Sequence, residues 1–234
     1  MRFHPDETQQ MIRDSVRAFV ADRVAEQAME WNEHGGRATD RLSELAELGL
    51  MGITIPERLG GAGLDAQTLV TTLEELAVGD AGLATMVAQH NARAVTHLLA
   101  SNLDDRDWMK AVASGQSLVC WAFQDNPNHL DDSTVRLRAR RQQTGDWRLD
   151  GLKPAVVLGA MATDAIVIAS IEGSEGPTAF RVELASDGVD RQAVGPLVGL
   201  RSCDLADLRF DGVLVGDERR LDPVGQSGPA IALV

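Results

Sequence analysis

LAELGLMGITIPERLGGAGLDAQTLVTTLEELA, Leu45 to Ala77, is the stretch whose reading decides the fold of this chain. It opens on the apolar side of a helix, which Gly49 ends, as a residue tolerating the left-handed conformation does. The run Leu50 to Ile55 is short, apolar and closed by Pro56, so it reads as a buried connection. Gly60, Gly61 and Gly63 predict a tight loop. Asp65 is a good cap for a further helix that carries Leu69, Val70, Leu73 and Leu76.

Working outward, the first half reads as helices. Ile12, Val16, Phe19, Val20 and Val24 recur at helical spacing between Asp6 and about Trp31, with Asp6 and Glu7 where the helix dipole favours them. Asp40 is the expected N-cap of a second helix, with Leu42, Leu45, Ala46 and Leu48 on one side. A fourth helix is predicted from Ala81 to Ala100 and a fifth from Asp104 to Ala113, ended by Gly115. The period then changes. Short β-rich runs lie at Leu118–Phe123, Val135–Ala139, Trp147–Leu149, Ala165–Ala169, Thr178–Val182 and Leu208–Phe210. Turn signals separate them at Gly145-Asp146, Asp150-Gly151, Gly173–Gly176 and Asp187-Gly188. The fold class predicted is α+β. A helical domain at 1–116 precedes an antiparallel, sandwich- or barrel-like β-domain at 117–224.

The chain has 234 residues and a formal net charge of −13. An acidic chain without a block of like charge argues against nucleic acid and anionic membranes as partners. No apolar run approaches the ~20 residues of a membrane span, and MRFHPDETQQ lacks the apolar stretch of a signal peptide. Cys120 and Cys203 show neither metal-ligand spacing nor a disulfide framework, which points to a reducing, cytoplasmic setting.

Individual motifs have plain readings. The glycines of ERLGGAGLD match neither phosphate-binding spacing, so they predict a structural turn. His90 and His97 lack a third metal ligand nearby and read as ordinary histidines. Cys120, in SLVCWAF, has no basic neighbour to activate it and reads as a buried thiol. The carboxylate pairs Glu74-Glu75 and Asp104-Asp105 point apart on a helix. The residues alone offer no complete catalytic constellation.

ELGLMGITIPERLGGAGLD, AVASGQSLVCWAF, WRLDGLK, GLRSCDLADLRFDGVLV and VGQSGPAIALV occur in the order found in the first two domains of the acyl-CoA dehydrogenase family, which the chain resembles over its whole length. The resemblance implies FAD as cofactor and an acyl-CoA or acyl-carrier thioester as substrate. One hydrogen leaves as a proton to a carboxylate base and the other as hydride to the flavin. It implies a homo- or hetero-oligomer with an acyl-CoA dehydrogenase homologue. The base comes from a helical third domain, and residues 225–234 read as its start, so no catalytic residue is assigned.

The cofactor positions that the resemblance implies are Trp121, Phe123, Gln124, Leu130, Ala155 and Val157. Several depart from the family's pattern. Gln124 replaces a hydroxyl, and His129 and Leu130 stand where Gly and Ser are expected. Ala155 replaces an aromatic residue and Val157 a hydroxyl beside the flavin. The implied function is that of an acyl-CoA dehydrogenase-like flavoprotein incomplete as a single chain. The alternative is a non-catalytic subunit that binds or stabilises a catalytic homologue. Leu83, Met86 and Val87 are expected to face outward, where a third domain would cover them.

Overall fold

The computed structural model describes residues 5–34, 38–102, 104–125 and 135–227. The helices are α1 (Glu7–Phe19), α2 (Ala25–His34), α3 (Asp40–Glu47), α4 (Ala66–Gly79), α5 (Ala81–Ala88), α6 (Thr96–Ala100) and α7 (Arg106–Ala113). The strands are β1 (Val119–Ala122), β2 (Arg138–Arg141), β3 (Trp147–Val157), β4 (Asp164–Ile171), β5 (Thr178–Glu183), β6 (Val189–Ala193) and β7 (Leu205–Val215). None of the described helices is long and apolar enough to cross a membrane.

The described chain divides into two compact units. The first comprises Met1–Asn91, Arg106–Gln116 and Pro196–Asp204. Its core is aliphatic: Val16, Val24, Leu45, Ile53, Ile55, Leu76 and Leu83 are all buried. Asp6 begins α1 with a reciprocal capping box to Gln9, and Asp65 caps α4 by accepting from Thr68 N–H at 2.8 Å. These bonds satisfy backbone donors that a helix start otherwise leaves open. The expected cap at Asp40 is displaced by one residue. Thr39 occupies the cap position with helical dihedrals and no side-chain bond, and Asp40 is the first helical residue.

The first and fourth predicted helices each contain a π-turn, at Val20–Val24 and Gln89–Val95. A π-turn adds a residue without breaking the helix, so apolar spacing still reads as one element. The expectation that Leu83, Met86 and Val87 face outward is overturned: each is fully buried. The reason is local packing, since Met86 sulfur accepts the Asp204 N–H at 3.4 Å within this unit.

The second unit comprises Ala92–Asp105, Ser117–Gly195 and Leu205–Val234. Its strands form one sheet in the order β1-β4-β2-β3-β7-β6, with β5 also on β4. The predicted antiparallel sheet is in fact mixed. β1 and β2 both run parallel to β4, while β2–β3, β3–β7, β6–β7 and β4–β5 are antiparallel. Turn signals reveal only hairpin neighbours. A parallel pair needs a crossover, and here the β2–β3 hairpin lies between β1 and β4 in the chain.

β3 and β7 extend well beyond the runs expected at Trp147–Leu149 and Leu208–Phe210, and β6 lies outside every expected run. Asp150-Gly151 reads as a turn, yet β3 continues through it with a register shift at Leu149/Asp150. Gly151 has φ 150°, and a Cβ there would press on Leu137. The glycine thus lets the strand bend without ending. β6 escapes sequence reading because four of its five residues are exposed and it lacks an apolar alternation.

Candidate functional site

Every residue of β1 is buried. Beyond it Phe123, Gln124 and Asp125 are half-buried. Lys153, fully buried in β3, organises this exit. Its Nζ donates to the Phe123 carbonyl at 2.7 Å and to Asp125 Oδ2 at 2.9 Å. Asp125 also accepts the N–H groups of Arg136, at 2.9 Å, and Leu137, at 3.1 Å. One carboxylate therefore ties the end of β1 to the chain entering β2. Burial lowers the Lys153 amine from 10.5 to about 8, and the charge and hydrogen bond of Asp125 oppose the shift. Lys153 and Asp125 were not singled out in the sequence. The one available signal is alternation: Lys153 falls on the same face of the strand as the apolar Trp147 and Leu149, where a charge demands a buried partner.

Immediately after Lys153 the register slips. Lys153 opposes Leu208 and Val156 opposes Ala206, so β3 carries an extra residue. The bulge places Ala155 at φ 49°, exposed, with its N–H donated to Asp207 Oδ1 at 2.8 Å. Val157 is half-buried opposite Leu205. Trp121 is buried beneath protein groups. Phe123 stacks on it with ring centroids 5.0 Å apart and planes 20° apart, and Arg93 Cζ lies 5.4 Å from its centroid. The structure thus brings Trp121, Phe123 and Gln124 to one strand end and ties that end, through Lys153, to the bulged strand of Ala155 and Val157. Leu130 and His129 lie outside the described residues.

The glycine loop is structural. The N–H groups of Ala62, Gly63 and Leu64 donate to the carbonyls of Gly52, Ile55 and Ile53 at 2.9, 2.8 and 2.9 Å. Those donors are spent on the buried run and unavailable to a phosphate. Asn91 holds the same run, accepting from Ile53 N–H at 3.3 Å and donating to Leu50 O at 3.1 Å. Both histidines are fully buried. His90 faces the Val112 carbonyl at 3.3 Å, and His97 faces Asp222 Oδ2 at 3.1 Å. Ser227 donates to the same Asp222 oxygen at 2.5 Å. With the carboxylate between imidazole and hydroxyl, the serine has no base to activate it. Among the described residues no group of three metal-ligating side chains converges. Burial pushes the Cys203 thiol up to about 12, with Asp204 and Asp80 adding to the effect, so it is no nucleophile.

The family model of the acyl-CoA dehydrogenase N-terminal domain matches residues 6–116. Glutaryl-CoA dehydrogenase from Mycobacterium smegmatis superposes with a TM-score of 0.88 at 28% identity, over 97% of this chain and 58% of that one. The fold is that of acyl-CoA dehydrogenases. The short-chain specific acyl-CoA dehydrogenase of Rattus norvegicus mitochondria is 26% identical over 94% of this chain and 54% of its own length. L-prolyl-(peptidyl-carrier protein) dehydrogenase of Pseudomonas fluorescens is 30% identical, over 97% of this chain and 61% of its own length. Residues 6–116 carry the N-terminal domain of the acyl-CoA dehydrogenase family, and the chain spans about half the length of the curated relatives it matches.

FAD is the cofactor this family implies, and the described residues do not fit a flavin ring held for hydride transfer. The Ala155 N–H is already engaged by Asp207. Ala155 and Val157 bring no ring and no hydroxyl, and Trp121 is covered by Phe123 and Arg93. What the described residues do hold here is the lysine-tied strand end and the bulge.

Proposed function

We propose that this chain is a non-catalytic member of its family, a subunit that pairs with and stabilises a catalytic homologue acting on an acyl thioester. The observation that carries the reading is the strand after Lys153, where alanine and valine stand at the positions the resemblance assigns to the flavin edge and the Ala155 N–H is spent on Asp207. Loss of a donor where charge develops costs about 3 kcal/mol in a transition state. In this reading residues 1–116 are the helical domain and 117–224 the β-domain, while 225–234 lead towards a further helical domain. The homologue supplies flavin and base, the substrate rides on CoA or a carrier protein, and the setting is cytoplasmic.

The Lys153–Asp125 tie and the bulge hold the strand ends of Phe123, Ala155 and Val157 in a fixed geometry, which favours a second reading, a flavoprotein half-site completed by another chain. Purification separates the two. The first reading expects a colourless 234-residue chain that does not oxidise short-chain acyl-CoA with an artificial electron acceptor. It also expects co-expression to raise the thermal midpoint of a catalytic homologue. Stoichiometric bound FAD with turnover would return the chain to the catalytic class.

A further inference from the structure

β2 and the residue pair before it alternate cleanly. Arg136, Arg138 and Arg140 are exposed, whereas Leu137 and Ala139 are buried. The pleat therefore gathers the three arginines on one face. In register, Arg140 stands directly opposite Arg148 of β3. Like charges placed so are destabilising. Arg148 is neutralised by Asp150, through Nε to Oδ2 at 3.1 Å and Nη2 to Oδ1 at 3.2 Å. Arg136, Arg138 and Arg140 form no ion pair with any carboxylate among the described residues. The chain around them carries a net charge of −13. Asp150 stands directly opposite Arg138 and also attracts Arg140, so among the described residues this one β3 carboxylate is shared by Arg138, Arg140 and Arg148, and the face keeps an excess of positive charge.

The row borders a groove. β2 pairs with β4 only at Arg138↔Ser170 and Ala139↔Ile171. Where the strands part, a groove of about 320 Å³ is lined by Arg138, Ala139, Arg140, Ser170, Ile171 and Glu172. We propose that this arginine-walled groove docks a carboxylate-rich segment of a partner protein. Charge complementarity selects that occupant. Glu172 in the wall disfavours a compact anion such as phosphate, but it can accept backbone N–H groups of a polypeptide whose carboxylates reach the arginines. Nucleic acid is disfavoured by the acidic remainder of the chain and by the lack of an exposed ring beside the row for bases to stack on, since Trp147 is buried.

The test uses the whole 234-residue chain and a short dye-labelled oligoglutamate peptide, followed by fluorescence anisotropy at low and physiological ionic strength. Binding that weakens with salt is expected. Arg138→Glu/Arg140→Glu should lose about tenfold or more in affinity, as reversal of interfacial charge does. Arg58→Glu/Lys110→Glu changes net charge equally on exposed residues elsewhere and should leave binding within about twofold, since screening confines the effect. The first variant sets a glutamate opposite Asp150 and is checked for folding by its melting midpoint; Arg140→Gln keeps Arg138 opposite Asp150, should melt close to the parent, and should still weaken binding. Absence of binding, equal losses in both double variants, or tighter binding of a single-stranded oligonucleotide would overturn the proposal. Because the readout is independent of flavin, its failure is distinguishable from failure of the functional reading.

Discussion

Lys153 carries a large local stake. It is fully buried with one carboxylate and one carbonyl as partners. Removing one member of a buried pair leaves the other charge uncompensated, so Lys153→Met should cost about 3 kcal/mol in urea denaturation. Adding Asp125→Asn should recover part of that loss, and an additive double variant would refute the pairing. The pH dependence has a definite sign. Below about 8 the amine is charged in both folded and unfolded chains, and its contribution is flat. Between about 8 and 10.5 the folded chain releases the proton first, so this group's contribution to stability rises with pH. The parent should show that rise relative to Lys153→Met, which lacks the titrating amine.

At the scale of the element, β3 and the glycine loop hold their shapes for opposite reasons. The bulge puts a non-glycine residue, Ala155, at φ 49°, a conformation that costs an L-residue free energy. Ala155→Gly relieves that strain at some entropic cost, and a net stabilisation of about 0.5 kcal/mol is expected by thermal or chemical denaturation. In the loop, a Cβ on Gly61 would run into the Ile55 carbonyl. Gly61→Ala should therefore destabilise by about 2 kcal/mol, as overpacking does. If it proved neutral, the close approach of loop and buried run would be refuted. The bulge itself was not legible: alternation in WRLDGLKPAVV says nothing of the register of β7 opposite it. The loop was legible, because glycine clusters mark turns wherever they fall.

For the molecule as a whole, acid is the informative perturbant. Glu75 of α4 meets Arg13 and Arg17 of α1, each at 2.7 Å. Hydrogen bonds from Arg17 and then Arg13 hold its carboxyl below the ordinary 4.5. A depressed carboxylate contributes stability above its unfolded value and loses it as pH falls through the folded one. Stability should therefore decline as pH drops below 4.5, and Glu75→Gln should flatten that limb while costing about 1.5 kcal/mol at neutral pH. Melting midpoints across the acid range check both. An unchanged acid limb in the variant would assign the decline to other carboxylates.

Sequence alone determined what local chemistry decides. Helical spacing, Asp65 as a cap, Gly49 as a stop and the glycine turn all follow from interactions within a few residues of the chain. The change of period at Gly115 separated helices from strands for the same reason. Only the tertiary structure decided what depends on partners distant in the chain. It made the sheet mixed, because a parallel pair is set by a crossover. It paired Lys153 with Asp125, 28 residues away. It buried Leu83, Met86 and Val87. It also gathered arginines separated by leucine and alanine, and so no charge block in the sequence, onto one face where Asp150 is their shared β3 carboxylate. Strand pleating gathers alternate residues, and the pairing register set Arg148 beside them.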